Sequence, residues 1–389
     1  MSQVILKSGH VQPVWAGHPW VFPQGIDKIK GSPAHGDEVA VMDAKGNVLG
    51  RGTYAKGSSI AVRIYTRGTE ALDRELFITR LRAAVRLRET LALPLSPSTT
   101  GYRAFHGEGD GLPGLIVDRF DDVLVMQLGT AGLGRRREEL LDALQLVFAP
   151  RAIIERTTDR AAQSEGFEAK HGVVRGQQLN HLVMSELGLR YEIPVELSQK
   201  TGYYFDQRPL RHRVEQLSPG RSVLDTYCFV GSIGLLAKRA GAGQVVCVDS
   251  SASALELGAS FARANDLDVR FERAKALDYL SAEGPMFDIV IADPPKLAQS
   301  RAGLKKAMHA FRGICAATVA RTTPSGIAIV SSCSAALGID QVERCLALGA
   351  RDVGRNVVVF ERISQGGDHP VPPAFPEGRY LSTALAYVY

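Results

Sequence analysis

The sequence predicts a multidomain α/β protein: a small N-terminal β-barrel, a small central α+β domain, and a C-terminal doubly wound sheet ending in an antiparallel hairpin. Three observations carry that prediction. The chain has 389 residues, too many for one hydrophobic core, so two or three domains are expected. Its first part is glycine-rich with short alternating strands. From about residue 187 apolar runs alternate with helical patterns, the grammar of a mostly parallel sheet covered on both faces.

The barrel is assigned to residues 1–70, where strands at 39–43 and 60–65 flank the turn residues Gly46 and Asn47. Gly17-His18-Pro19-Trp20-Val21-Phe22 sets two aromatics beside a histidine in a loop. Such a cluster stacks on nucleotides or plugs the end of a small barrel, and the plug suits Trp20 and Phe22 better. The central domain, 71–186, opens with an amphipathic helix over 72–91, where Leu76, Ile78, Leu81, Val85 and Leu87 fall near helical spacing, and Pro94 and Pro97 end it. A glycine-dense loop follows at 105–114. Strands at 115–120 and 123–128 then turn about Asp121 and Asp122, followed by a helix near 135–148 and a strand at 152–156. No catalytic constellation falls in this domain.

The third domain, 187–389, carries strands at 222–225, 244–249, 269–271, 287–292, 326–331, 357–361 and 381–388. Helical patterns separate the first five. The last two are joined only by a proline-rich loop through Pro370 and Pro376, so they form the hairpin. That ending is unusual for a dinucleotide-binding fold.

Composition narrows the function classes. With 45% hydrophobic and 22% charged residues the chain is of ordinary globular type. No apolar stretch approaches a membrane span, and the N-terminus lacks a signal-peptide pattern. Five cysteines without a C-x-x-C pair exclude a disulfide framework and a zinc site and point to a reducing cytoplasm. The net charge of +5 is compatible with nucleic acid. Basic runs at Arg80, Arg82, Arg86 and Arg88, at Arg135-Arg136-Arg137, and at Arg208, Arg211 and Arg213 are phosphate-facing strips or solvated helix faces. The solvated face is the better reading of any one of them.

Two constellations carry chemistry. Asp225-Thr226-Tyr227-Cys228-Phe229-Val230-Gly231-Ser232-Ile233-Gly234 is a strand end, a glycine turn and a helix start. Glycine there lets backbone approach a ligand, but only Gly231 and Gly234 are present, so the pyrophosphate cradle of NAD or FAD sites is incomplete. Asp249 ends the next strand, where a carboxylate accepts ribose hydroxyls, although a lone Asp there also serves as a helix cap. A ribose acid without a phosphate cradle fits S-adenosylmethionine. Farther on, Asp293-Pro294-Pro295-Lys296 and Ser331-Ser332-Cys333-Ser334 each close an apolar strand. A thiol beside a carboxylate suits covalent chemistry on an electron-poor ring; alone, Cys333 would be one more small buried hydrophobe.

Several segments resemble the PUA-domain large-subunit (23S) rRNA cytosine-C5 methyltransferases, a family of class I S-adenosylmethionine-dependent enzymes. They are residues 17–22, 109–118 and 199–208, Asp293-Pro294-Pro295-Lys296, Ser332-Cys333-Ser334, and the tail through His369-Pro370 and 376–381. They span nearly the whole chain in family order. The resemblance implies a PUA-like RNA-binding barrel, a central domain, and a Rossmann-like methyltransferase sheet. It implies that Lys200, Thr201, Gly202, Asp206, Gln207 and Arg208 line the cofactor pocket with Asp225, Tyr227, Gly231 and Asp249. It makes Cys333 the nucleophile and sets Asp293 between cofactor and base. Lys296 is a phosphate or proton-transfer group, or equally a surface lysine. Two departures stand out: Ser232 replaces the second glycine of the turn, and Lys275 replaces the acid that accepts a hydrogen bond from the adenine amino group. A lysine cannot accept that bond, so weaker adenine recognition or a substitute, Asp278, is expected. The expected partner is large-subunit rRNA, with no membrane and no metal; a homodimer is left open. Three rivals remain: guanine methylation on the same scaffold, a non-catalytic RNA-binding or ribosome-assembly protein, and, weakest, a nicotinamide oxidoreductase.

Overall fold

Alternating apolar residues in the first 67 positions fold, in the computed structural model, into a six-stranded sheet. The model describes residues 1–196, 201–297 and 303–389. The strand order is Trp20–Val21, Val62–Thr66, Val48–Tyr54, Glu38–Met42, Ser2–Leu6, Ile26–Lys30. Val4, Leu6, Val39, Val41, Val62 and Ile64 fill its core. The His18, Trp20 and Phe22 rings pack on one another and on Phe375, and Trp20 Nε1 donates to Glu108 Oε1 at 2.9 Å. Protein groups surround this cluster, as the plug reading requires.

A second sheet, of five strands, runs His171–Gly176, Ala152–Arg156, Val123–Leu128, Leu115–Phe120, Gly101–His106. Helices Arg74–Thr90 and Arg137–Phe148 cover it through Phe77, Leu81, Leu140 and Leu144. The Asp73 side chain caps the first helix by accepting from the Leu76 amide. The stretch expected as a glycine loop is a strand followed by a one-turn helix, Gly107–Asp110. Both sheets belong to one unit, made of 1–185, 193–203 and 367–378. The Tyr65 hydroxyl, 3.0 Å from both the Pro113 carbonyl and Thr130 Oγ1, and the Arg63–Glu165 ion pair tie the two sheets together.

The proline-rich loop expected merely to join the last two strands has a larger part, because residues 367–378 lie in this first unit. Arg88 fastens them. Its guanidinium, 1% exposed, donates to Asp110 Oδ1 and to the Asp368 carbonyl, each at 2.6 Å. The second basic run is also internal: Arg135, Arg136 and Arg137 pair with Asp37, Glu38 and Glu155.

The other unit comprises 186–192, 204–366 and 379–389. Its strands are labelled β1 (Val223–Thr226), β2 (Val245–Asp249), β3 (Arg270–Arg273), β4 (Phe287–Ala292), β5 (Thr322–Ser332), β6 (Val357–Ile363) and β7 (Ser382–Val388). They lie in the order β3-β2-β1-β4-β5-β7-β6, the first five parallel and β7 antiparallel to both neighbours. The expected hairpin is present, but its second strand enters the sheet between β5 and β6. Burial explains the order. Thr383, Ala384, Leu385, Ala386 and Val388 are fully buried and suit an interior strand, whereas β6 alternates half-buried with exposed positions and suits an edge. Strand order reverses between β1 and β4, which opens a crevice at the carboxyl ends of the strands.

Replacing Arg88 by alanine leaves the Asp110 carboxylate buried without its cation. The full chain is expected to lose about 3–5 kcal/mol of stability, read as a lower urea midpoint with early loss of amide protection in Gly101–His106. An unchanged midpoint would mean that the network holds nothing.

Candidate active site

The candidate residues reach the sheet edge by strand register. β1 pairs with β2 so that Thr226 faces Val248, and with β4 so that Thr226 faces Ala292. Beyond β1 the chain turns into the helix Ser232–Arg239 with Tyr227 and Phe229 at φ +59° and +53°. Left-handed backbone at two non-glycine residues stores strain in this turn. Gly231 lies at φ +70°, and a Cβ there would come within 2.9 Å of the Phe271 ring and 3.0 Å of Cys247 Sγ; a Cβ at Gly234 would also strike Cys247. The structure thus gives these glycines a different reason from the sequence: they let the helix press onto β2 and β3.

Asp225 is 1% exposed, and its Oδ2 accepts from the Gly234 amide at 3.1 Å. Burial, opposed by that bond and assisted by the Asp293 and Asp249 charges, pushes its pKa up to about 7. Its direct effect is to hold the glycine turn. Asp249 engages both oxygens with backbone, Oδ2 with the Phe229 amide and Oδ1 with the Ser251 amide, each at 2.9 Å. Each oxygen keeps a second lone pair for a ribose hydroxyl. Lys275 is exposed where the helix Ala276–Ser281 begins, and Asp278 lies in the first turn of that helix. Burial first, and Asp278 second, raise the pKa of the Tyr227 phenol. An acid is therefore near the turn, one helical turn beyond its expected position.

Asp293 follows β4, and its Oδ2 accepts from Gln207 Nε2 at 2.7 Å. Cys333 follows β5, the parallel neighbour of β4, with Ala292 facing Val330 in register. Its Sγ is 4.0 Å from the carbonyl of Pro294, the residue after Asp293. Of five cysteines, Cys333 is the one not buried. Burial raises the pKa of the Cys228, Cys315 and Cys345 thiols. Lys296 is exposed beyond the two prolines.

Asp206 and Gln207 supply the remaining wall. Asp206 Oδ2 accepts from the Tyr380 hydroxyl at 2.8 Å, while its Oδ1 and the Gln207 Oε1 are buried acceptors without a partner among the described residues. Two orphaned acceptors fit the ammonium of S-adenosylmethionine. Arg208 and Arg211 both turn to the buried Glu186, at 3.0 and 2.6 Å, so the Arg208 guanidinium fastens its own segment. Thr201 and Gly202 belong to the first unit, where the Thr201 carbonyl accepts from Arg156. Lys200 lies outside the described residues.

One residue at the site escaped the sequence reading. Tyr204 sets its ring edge-on to Phe229, with centroids 5.3 Å apart. Burial, then Asp206, Asp293, Cys333 and Asp249, push its phenol up to about 12. It is the group on which candidate acids and thiol converge. Its signal was its place between Gly202 and Asp206 in a segment already singled out. Among the described residues no cluster of His, Cys, Asp and Glu could hold a metal ion, and no helix is long and apolar enough to cross a membrane.

Comparison with known proteins bears on the fold and the cofactor. Residues 4–67 match the model of a PUA-like domain, and residues 103–376 match that of S-adenosylmethionine-dependent methyltransferases. The chain is 37% identical over 395 residues to the ribosomal RNA large subunit methyltransferase I of Shewanella amazonensis, covering 100% of this chain and 99% of the relative. It is 36% identical to the protein of the same name from Photobacterium profundum, with the same coverage. A solved S-adenosylmethionine-dependent methyltransferase from Streptococcus mutans shares its fold at a TM-score of 0.85, with 19% identity and 100% of both chains covered.

Two measurements probe this site. Asp249→Ala should weaken S-adenosylmethionine binding roughly 10- to 100-fold, the loss of charge-assisted hydrogen bonds; unchanged affinity by isothermal titration removes Asp249 from the pocket. The second concerns Asp225, which folding holds neutral. The folded state keeps a proton that the unfolded chain releases above pH 3.8, so the contribution of this group to stability is complete below that pH and declines as pH rises to about 7. In Asp225→Asn that decline should vanish, because the amide cannot ionise but still accepts from Gly234. Identical pH–stability slopes for the two proteins would mean that Asp225 is ionised throughout.

Proposed function

The chain belongs to the S-adenosylmethionine-dependent methyltransferase family, with a PUA-like domain at its N-terminus, and from that premise we propose that it methylates C5 of a cytosine in large-subunit rRNA through a covalent cysteine adduct. The observation that carries the reading is the pairing of the one unburied thiol, Cys333, with the carboxylate Asp293 at the ends of adjacent parallel strands. Its relatives are named for the large-subunit RNA.

C5 of cytosine is a weak nucleophile. Addition of Cys333 Sγ to C6, with the thiol proton given up and a proton gained at N3, turns C5 into an enamine-like carbon. Asp293, oriented by Gln207, holds the N3 edge and that proton. S-adenosylmethionine supplies the methyl group on a positively charged sulfur. C5 forms the new carbon–carbon bond as the bond from that methyl to the sulfonium breaks, leaving S-adenosylhomocysteine; the C5 proton then leaves, the Sγ–C6 bond breaks, the N3 proton returns to the sulfur, and the aromatic ring is restored. Asp206 and Gln207 face the cofactor ammonium and Asp249 its ribose, with Asp225, Tyr227 and Gly231 shaping the turn beneath. Lys200, Thr201, Gly202 and Arg208 complete the proposed pocket by family resemblance. The base must leave its stack to reach Cys333. Boundaries near 70 and 186 separate barrel, central and methyltransferase domains in this reading, and work on rRNA puts the enzyme in the cytoplasm.

Guanine methylation on the same scaffold would need no thiol, so it leaves the accessibility of Cys333 without a purpose. A non-catalytic role finds its support in Lys275, but Asp278 stands close to the same turn.

Cys333→Ala separates these readings. Methyl transfer to large-subunit rRNA should disappear while binding of S-adenosylmethionine and RNA persists. RNA carrying 5-fluorocytosine at the target should form a denaturation-resistant adduct with the native enzyme, dependent on S-adenosylmethionine, and none with the variant. A fully active Cys333→Ala protein would refute the C5 mechanism and bring guanine forward.

A further inference from the structure

The first unit contains an aromatic side chain that its own packing leaves unused. Trp15 ends the short helix Val11–Trp15 and is 76% exposed. The helix is not loose. Val14, 3% exposed, is buried in the barrel core, and Arg67 grips the backbone on either side of the tryptophan. Its Nη1 donates to the Val14 carbonyl at 2.9 Å and its Nη2 to the Gly17 carbonyl at 2.5 Å. A large indole is thus held out to solvent on a fixed base.

The charge beside it is unbalanced. Arg67 and Arg80 have no ion-pair partner among the described residues; the guanidinium of Arg80 donates to the Tyr65 carbonyl at 3.3 Å and its Nε is buried without a partner. Burial, and then Arg80, lower the pKa of Arg67, so a second cation is the charged neighbour that acts on it. Two other arginine runs are consumed by internal acids: Arg135 to Arg137 by Asp37, Glu38 and Glu155, and Arg208, Arg211 and Arg213 by Glu186 and Glu361. Arg80 comes from the remaining run and is not. The nearest acid in sequence, Glu70, is exposed and turns its carbonyl toward Thr66.

We propose that Trp15, Arg67 and Arg80 form a docking site for one nucleotide of unpaired RNA, the base stacked on the indole and its phosphate between the two guanidiniums. The pairing of aromatic face and uncompensated cations selects this occupant. Every base offers a π-face, so stacking needs no particular sequence, and the phosphate supplies the missing anion. A base inside a duplex is unavailable to the indole, which confines the site to loops, bulges and ends. Trp20 is engaged within the fold, its Nε1 donating to Glu108 and its ring packed on three others. The site rests on the reading of the protein as an rRNA enzyme and specifies where the barrel holds the RNA outside the catalytic pocket.

The chain has two tryptophans, so Trp20→Phe leaves Trp15 as the only indole fluorophore. A short single-stranded oligoribonucleotide of mixed sequence should quench that emission saturably, and its duplex should not. In the otherwise native full chain, Trp15→Ala should weaken binding of the same strand roughly tenfold, and Arg80→Gln should lower the salt slope of binding by about one. Absence of quenching, or native affinity in Trp15→Ala, overturns the site; quenching by ribosomal protein but not by RNA overturns it in favour of a protein partner. Methylation of rRNA by the same preparations keeps the two readings apart. Native KM in Trp15→Ala with unquenched fluorescence refutes the docking site alone, whereas quenching by RNA in a chain that methylates no rRNA refutes the enzyme reading alone.

Discussion

In-register parallel pairing of β4 with β1 and β5 is the constraint from which the site follows. Because Ala292 lies opposite both Thr226 and Val330, Asp293 and Cys333 leave the sheet at the same edge and on neighbouring strands. A shift of one residue would turn each side chain to the other face. The register is in turn locked by burial on both faces: Val290, Ala292, Ala328 and Val330 go to one core, Ile289, Ile291, Ile327 and Ile329 to the other. The chemistry at the strand ends is therefore placed by apolar residues that never touch a substrate.

The same edge gathers negative charge in a chain whose net charge is +5. Asp206, Asp249 and Asp293 act together on Tyr204, and Asp249 and Asp293 act on Asp225. Arg208 and Arg211, a few residues beyond Asp206, are bound to Glu186. S-adenosylmethionine brings two cations to this edge, its sulfonium and its ammonium. Cofactor binding would therefore draw the pKa of Asp225 back down as it relieves the surrounding charge. Affinity and the protonation of the glycine turn are coupled through the same carboxylates.

Much of this was readable in the sequence, for physical reasons that also mark the limits. The buried strands β1, β2, β4, β5 and β7 were visible as apolar runs, and the ends of the first four marked Asp225, Asp249, Asp293 and Cys333. The position of β7 inside the sheet was not visible, because pairing order depends on which apolar strand can be covered on both faces. Nor could the arginine runs be sorted. Arg80 and Arg88 lie on one helix, yet Arg88 is sealed against Asp110 while Arg80 has no acid partner among the described residues, and only the fold brings Asp110 and residues 367–378 to the former. Gly231 has a further reason that the sequence does not show: its neighbours are Phe271 and Cys247, which belong to strands not yet paired when the chain is read as a line.

Cys333 also shows why accessibility weighs more than motif. The four other cysteines are as small and as apolar, and three of them have thiols raised chiefly by burial. Deprotonation there would be costly and no ring could approach. Cys333, at the carboxyl end of β5, is the thiol that is not buried. In the mechanism proposed above a proton leaves the sulfur as another reaches N3, and Asp293, held by Gln207, is the group assigned to that exchange. An acidic site is then no obstacle to a thiol nucleophile. In the proposed mechanism it ties the attack of sulfur to the protonation of the base.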